Sequence, residues 1–170
     1  MPTLLIREAF GEEDMRHVRA LCRDYRALLA DRTADRPDIL KTYYDSESYE
    51  ALLQRLPEMH TAPDGAIFLA FLDDQPVACG MHHRIGPETC EIKRVFATEA
   101  ARGHGAGRGI IEAVMERART DGYREIKLDT MIRLTEAIGL YRKLGFEPCA
   151  PFYDLDPAFE GLVEFYGRPL

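Results

Sequence analysis

Apolar residues nowhere run for the ~20 positions that a membrane-crossing helix needs, so no membrane association is expected. Basic residues form no long run either, and the net charge is −7, which argues against nucleic acid as a partner. The amino-terminal MPTLLIREAF has a short apolar stretch with no basic segment ahead of it, so it does not read as a signal peptide. No CxxC pair occurs among Cys22, Cys79, Cys90 and Cys149. Their scatter argues against a disulfide framework and against a metal site, and reduced thiols in a cytoplasmic protein are the expectation. Internal repeats and low-complexity segments are missing as well. What remains is the composition of an ordinary globular protein: 170 residues, 46% apolar and 30% charged, a length that suits one domain spanning 1–170.

Periodicity supplies the elements. TLLIRE (3–8) reads as a short strand, and the segment after it places Met15, Val18, Leu21, Cys22, Tyr25, Leu28 and Leu29 on one helical face. Residues 31–45 are polar, include Pro37 and read as a loop. SESYEALLQRL predicts a second helix with a stop at Pro57. AIFLAFL (66–72), VACGMHHRI (77–85) and CEIKRVFA (90–97), separated by turn residues, predict an antiparallel meander. Ile110, Ile111, Val114, Met115 and Ala118 mark an amphipathic helix that ends at Gly122. REIKLDT (124–130) is a strand, Leu134 to Leu144 a last helix, and FEPCAPFYD and LVEFYG two final strands. The order is β-α-α-β-β-β-α-β-α-β-β, an α/β (α+β) fold with a mixed, mostly antiparallel central sheet flanked by helices. Exposed edges of such a sheet leave room for a homodimer.

Between the meander and the third helix lies ARGHGAGRG (101–109), with four glycines, two arginines and a histidine in nine positions. A glycine-rich turn opening a helix is an anion site, because the first helical N–H groups lack partners and the helix dipole adds partial positive charge there. No Lys-Ser or Lys-Thr follows the glycines, so the nucleoside triphosphate loop is excluded. A dinucleotide fingerprint starts well at Gly103 and Gly105, with Asp129 ending the next strand where a ribose-binding acid belongs. Its third glycine would fall at Arg108, and Glu91, Lys93 and Arg94 interrupt a strand that should be almost wholly apolar. Both facts count against a nicotinamide-dependent oxidoreductase. A solvated turn without a ligand is the remaining alternative.

A third candidate anion, the pyrophosphate of coenzyme A, enters through a resemblance. VFATEAARGHGAGRGIIEAVMERA resembles motif A of the GNAT acetyltransferase family, Arg/Gln-x-x-Gly-x-Gly/Ala between a central strand and a helix, filled by Arg102, Gly105 and Gly107. LDTMIRLTEAIGLYRKLGFEPCAPFYD resembles the family's motif B with its LY-x-x-x-GF signature. The resemblance covers residues 66–155, the coenzyme-binding core, and implies direct acetyl transfer from acetyl-CoA to a primary amine. It also implies that the N–H groups of Gly103, His104, Gly105, Ala106, Gly107 and Arg108 hold the pyrophosphate, with Arg102 and Arg108 as helpers. Val95, Phe96 and Ala97 would pair with the pantetheine amides. Many relatives carry an asparagine after the next strand; Asp129-Thr130-Met131 stands here, and Thr130 replaces that contact in part.

Amine acetylation needs a base for the amine, donors for the oxyanion and a proton for the departing thiolate. Tyr141 matches the family tyrosine that protonates the thiolate, although its helical face also fits a core residue. Glu91 matches a glutamate that accepts the amine proton in many relatives; a salt bridge with a neighbouring cation is the alternative. Alternation along 90–97 groups Glu91, Lys93, Val95 and Ala97 against Cys90, Ile92, Arg94 and Phe96. His82 and His83 point to opposite faces of a strand, so they cannot share a metal, and one of them is a candidate for the acceptor site. Tyr43 and Tyr44 are acceptor-pocket candidates from the 31–45 segment. The acceptor stays open: cationic amines such as polyamines or aminoglycosides suit an acidic surface, but −7 is too modest to choose, and small molecules, amino acids and protein N-termini are open as well. A coenzyme-binding regulatory module without catalysis is the alternative from another class.

Overall fold

The computed structural model describes all 170 residues and contains one seven-stranded sheet in the order β1-β2-β3-β4-β5-β7-β6. Its strands are Leu4–Glu8 (β1), Ala66–Leu72 (β2), Gln75–Arg84 (β3), Thr89–Ala97 (β4), Glu125–Met131 (β5), Glu147–Pro148 (β6) and Val163–Pro169 (β7). Every pairing is antiparallel except β4 with β5. The helices are Gly11–Arg32 (α1), Pro37–Tyr43 (α2), Ser46–Met59 (α3), Ala106–Thr120 (α4) and Thr135–Lys143 (α5). No helix is long and apolar enough to cross a membrane.

The apolar run of β2 is buried on both faces because helices cover both sides of the sheet. Ala66, Phe68 and Ala70 join Ile110, Ile111 and Val114 of α4 in one core, while Ile67, Leu69 and Phe71 join Met15, Val18, Leu53 and Leu56 of α1 and α3 in another. A third cluster ties Leu29 and Ile39 to Met131 and Leu134, anchoring the start of α5 to α1 and α2.

Three local expectations change. The 31–45 loop contains α2, with Pro37 in its first turn. Proline there removes only an N–H that lacks a helical partner anyway, so it starts a helix rather than excluding one. Pro57 does not stop α3, which continues to Met59. The Leu53 carbonyl that loses its helical donor at position 57 accepts Arg19 Nε at 3.2 Å instead. FEPCAPFYD pairs only at Glu147 and Pro148 before Pro151 takes the chain out of the sheet.

The fourth change shapes the site. Arg94 adopts φ 52° and the β3–β4 register shifts beside it, between Cys79 and Met81, which marks a bulge. Alternation therefore breaks. Val95 packs with Cys90 and Ile92 on the α4 side, and Phe96 packs with the α1–α3 side. The face predicted to hold Glu91, Lys93, Val95 and Ala97 together does not exist as one surface. The parallel β4–β5 ladder ends at Glu91↔Lys127, and beyond it the two strands part.

Close backbone approach explains one glycine outside the loop. A Cβ on Gly65 would lie 2.0 Å from the His82 carbonyl oxygen, a backbone atom fixed in β3. Gly65→Ala is expected to destabilise the protein by about 1–3 kcal/mol. Thermal denaturation should show a melting temperature lower by ~3–10 °C, and an unchanged value would mean that β3 yields freely there.

Candidate active site

The glycine loop presents donors without acceptors. Gly103 and Gly105 both have positive φ, 78° and 77°, so the chain reverses twice before α4 begins at Ala106. The N–H groups of Gly103, Gly105, Ala106, Gly107 and Arg108 bond to no backbone carbonyl; the first closing bond is Gly109 N–H to the Gly105 carbonyl at 2.9 Å. The His104 N–H departs from expectation: it donates to the Ala101 carbonyl at 3.1 Å, and its side chain is exposed. Five N–H groups at a helix start, flanked by Arg102 and Arg108, suit a pyrophosphate. Both arginines lean on carboxylates, Arg102 on Glu99 at 3.0 Å and Arg108 on Glu112 at 2.8 Å, and both are mostly exposed.

From this loop a groove of about 550 Å³ runs along Val95, Phe96, Ala97 and Thr98 of the β4 end and Leu134, Ala137 and Leu140 of the α5 side. Because β4 leaves β5 after Glu91, the backbone edge of residues 95–97 on that side is unpaired and can bond an extended ligand. A smaller cavity of about 80 Å³ adjoins the groove at the strand opening, with Tyr25, Val95, Leu134 and Ala137 in the walls of both. Tyr44, Tyr49, Ile92, Lys93, Arg94, Asp129, Thr130 and Tyr141 complete the cavity.

Tyr141 is 6% exposed and sits edge-on to Phe146, with ring centroids 5.7 Å apart. Burial, helped by the charge of Asp129, raises its pKa well above the ordinary 10, so the phenol keeps its proton. Glu91 is buried, and His83 Nε2 lies 2.8 Å and Lys93 Nζ 3.4 Å from its carboxylate. Burial alone would raise its pKa, but the His83 hydrogen bond and the Lys93 charge outweigh burial, and the net shift is downward.

Three comparisons place this geometry among known proteins. The model of the acetyltransferase (GNAT) family matches residues 25–146. This chain belongs to the GNAT acetyltransferase family. An IAA acetyltransferase of Azospirillum brasilense is 33% identical over 135 residues, 75% of this chain and 84% of that protein. An uncharacterized N-acetyltransferase of Schizosaccharomyces pombe is 30% identical over 100 residues, covering 57% of this chain and 61% of that protein's length. Among solved structures, an acetyltransferase from Streptococcus agalactiae superposes with a TM-score of 0.74 at 18% identity over 98% of both chains. PaiA N-acetyltransferase from Thermoplasma acidophilum, solved with coenzyme A, gives 0.69 at 15% identity over 99% of both. These superpositions show the GNAT fold.

Within that fold the predicted residues divide. The cavity and groove gather Tyr141, Thr130, Tyr44, Val95, Phe96, Ala97, Arg102, Gly103, Gly105, Ala106, Gly107 and Arg108. Glu91 is outside the wall, since it belongs to the last paired step of β4 and β5, just before the opening. His82 is fully buried on the other face, edge-on to Tyr123, and does not reach the cavity. His83 stands behind the wall as the partner of Glu91. Tyr43 packs on Phe159 with centroids 4.2 Å apart, away from the cavity, while its neighbour Tyr44 faces in.

Sequence reasoning missed five polar wall residues: Tyr25, Tyr49, Lys93, Arg94 and Asp129. Tyr25 falls on an apolar helix face and Tyr49 within the second predicted helix, where a hydroxyl is the only sign of a polar neighbour. Arg94 had a sharper signal, a cation in the middle of a central strand. Asp129 sits in the second half of β5 beside the opening, where it is held by the Tyr153 hydroxyl and lies 3.9 Å from Lys93 Nζ.

Proposed function

We propose that this chain transfers the acetyl group of acetyl-CoA directly to a primary amine. One observation carries the reading: the groove that starts at the five free N–H groups shares a wall of Tyr25, Val95, Leu134 and Ala137 with a cavity lined by a protonated phenol and a carboxylate. Acetyl-CoA laid along the groove would put its diphosphate on the loop and its thioester at the strand opening. Tyr141 gives its proton to the departing thiolate sulfur. The oxyanion lies beside the unpaired backbone edge of Val95 to Ala97. Asp129 faces the incoming amine and takes up its proton, with Glu91 one step behind through Lys93. Direct attack needs no acyl-enzyme: Cys90, a buried thiol, has its pKa pushed up to about 12 by burial and is a poor nucleophile.

Calorimetric titration with acetyl-CoA and a thiol-release assay across amine classes test this. Binding of acetyl-CoA and release of one thiol per acetylated amine is the expected result. Binding with no turnover on any amine would leave a coenzyme-binding regulatory module. Stabilisation by NADH and not by acetyl-CoA would overturn the reading.

A further inference from the structure

The charges around the cavity are unevenly paired. Lys93 is compensated by Glu91 at 3.4 Å and Asp129 at 3.9 Å. Arg94 has no carboxylate within 4.0 Å of its guanidinium. Its only side-chain contacts of hydrogen-bond type use one nitrogen, Nη1, to His60 Nε2 at 3.4 Å and to Met81 Sδ at 3.9 Å. His60 is the wrong partner to neutralise it. Its Nδ1 bonds the His82 carbonyl at 3.0 Å, which as donor leaves Nε2 as a neutral acceptor for Arg94. The imidazole therefore aims the guanidinium and adds no negative charge.

Arg94 Nε and Nη2 form the edge that takes a carboxylate in a bidentate pair, and no protein group bonds it. The residue is half-buried, in a cavity walled by Tyr25, Tyr44 and Tyr49, and is held by a backbone with φ 52°. An unpaired cation in such surroundings is unfavourable unless a ligand completes it.

The geometry points to an acceptor that carries an anionic group, a carboxylate, which pairs with Arg94 while its amine lies toward Asp129 and Tyr141. This rests on the acetyltransferase reading and names its substrate class: an amino acid or related aminocarboxylate. Positive and negative wall groups then meet opposite ends of one zwitterion. A polyamine or aminoglycoside would instead set a cation against Arg94, so the acidity of the whole chain is a poor guide to this cavity.

Matched pairs test it: α-amino acids against their α-amides, with kcat/KM measured at saturating acetyl-CoA. The wild type should prefer the carboxylate member by ~10-fold or more, since a charged hydrogen-bonded pair is lost in the amide. Arg94→Asn suits the left-handed backbone at this position and should collapse that ratio toward one through KM; Arg94→Lys should restore part of it. Equal turnover of both members by the wild type, or an unchanged ratio in R94N, overturns the proposal. Acetyl-CoA affinity, titrated first, tells failure of the donor site from failure of the acceptor pairing. If no member is acetylated, melting of the CoA-saturated protein with each amino acid decides. Stabilisation that R94N abolishes supports the pairing, and stabilisation by none of the amino acids rejects it.

Discussion

Tyr141→Phe is expected to lower kcat by roughly 10²- to 10⁴-fold while leaving acetyl-CoA affinity and melting temperature nearly unchanged. The Tyr141 hydroxyl lines the cavity and makes no hydrogen bond to another protein group, so its removal orphans nothing and leaves the packing of the ring on Phe146 intact. A thiolate leaving group has an ordinary pKa of ~8.5, which looks mismatched to a phenol raised above 10. The mismatch shrinks in place, because a site that disfavours a phenolate by burial disfavours a thiolate in the same way. A buried thiolate thus accepts a proton or a strong hydrogen bond from a buried phenol. Single-turnover rates with bound acetyl-CoA separate chemistry from product release. An unchanged single-turnover rate in the phenylalanine variant would remove Tyr141 from the mechanism.

Tyr141 was legible in the sequence because a spaced motif surrounds it, and the glycine loop was legible because positive φ restricts which residues can stand there. Such positions state a backbone demand in the residue type itself. The acceptor half states no such demand. Its key residue, Arg94, is an arginine in a conformation that glycine would fit better, and the bulge around it reverses the faces of Val95 and Ala97. Period-two reasoning holds only while every residue pairs, so it assigned Arg94 and Phe96 to the face of Cys90 and Ile92. That Asp129 lines the cavity while Glu91 stands just outside it was hidden for a related reason. Which carboxylate reaches the cavity depends on where two parallel strands part, a register fact that neither strand encodes alone. Histidines 82 and 83 were correctly placed on opposite faces, but only the fold shows that His83 supports Glu91 while His82 is sealed beneath Tyr123.

That sealing has a consequence for acid stability, the second large effect. Burial lowers the pKa of His60 to about 3 and that of His82 to about 4, the nearby Asp121 offsetting only part of the shift at His82. Asp121 Oδ2 is 4.0 Å from His82 Nε2, too far for a hydrogen bond, and neither ring nitrogen of His82 has a partner. Both folded values lie below the unfolded ~6.5, so the unfolded chain binds more protons as pH falls, and stability is lost from about pH 6.5 downward. Linkage gives about 2 kcal/mol lost per histidine at pH 5 relative to pH 7.5, or about 4 kcal/mol together. That is a large share of the ~5–15 kcal/mol that holds a typical domain folded. The window lies above the carboxylates: Glu91, with its lowered pKa, gives up its own stabilisation only as pH falls below ~4.3. Urea midpoints at the two pH values measure the loss. His82→Leu should raise stability at pH 7.5 by ~1–3 kcal/mol, because it removes two buried polar atoms without partners. The same variant should lose only about half as much stability on going to pH 5, the remainder belonging to His60. Equal losses in wild type and variant would mean that His82 takes up its proton inside the fold, with Asp121 closing the 4.0 Å gap to receive it.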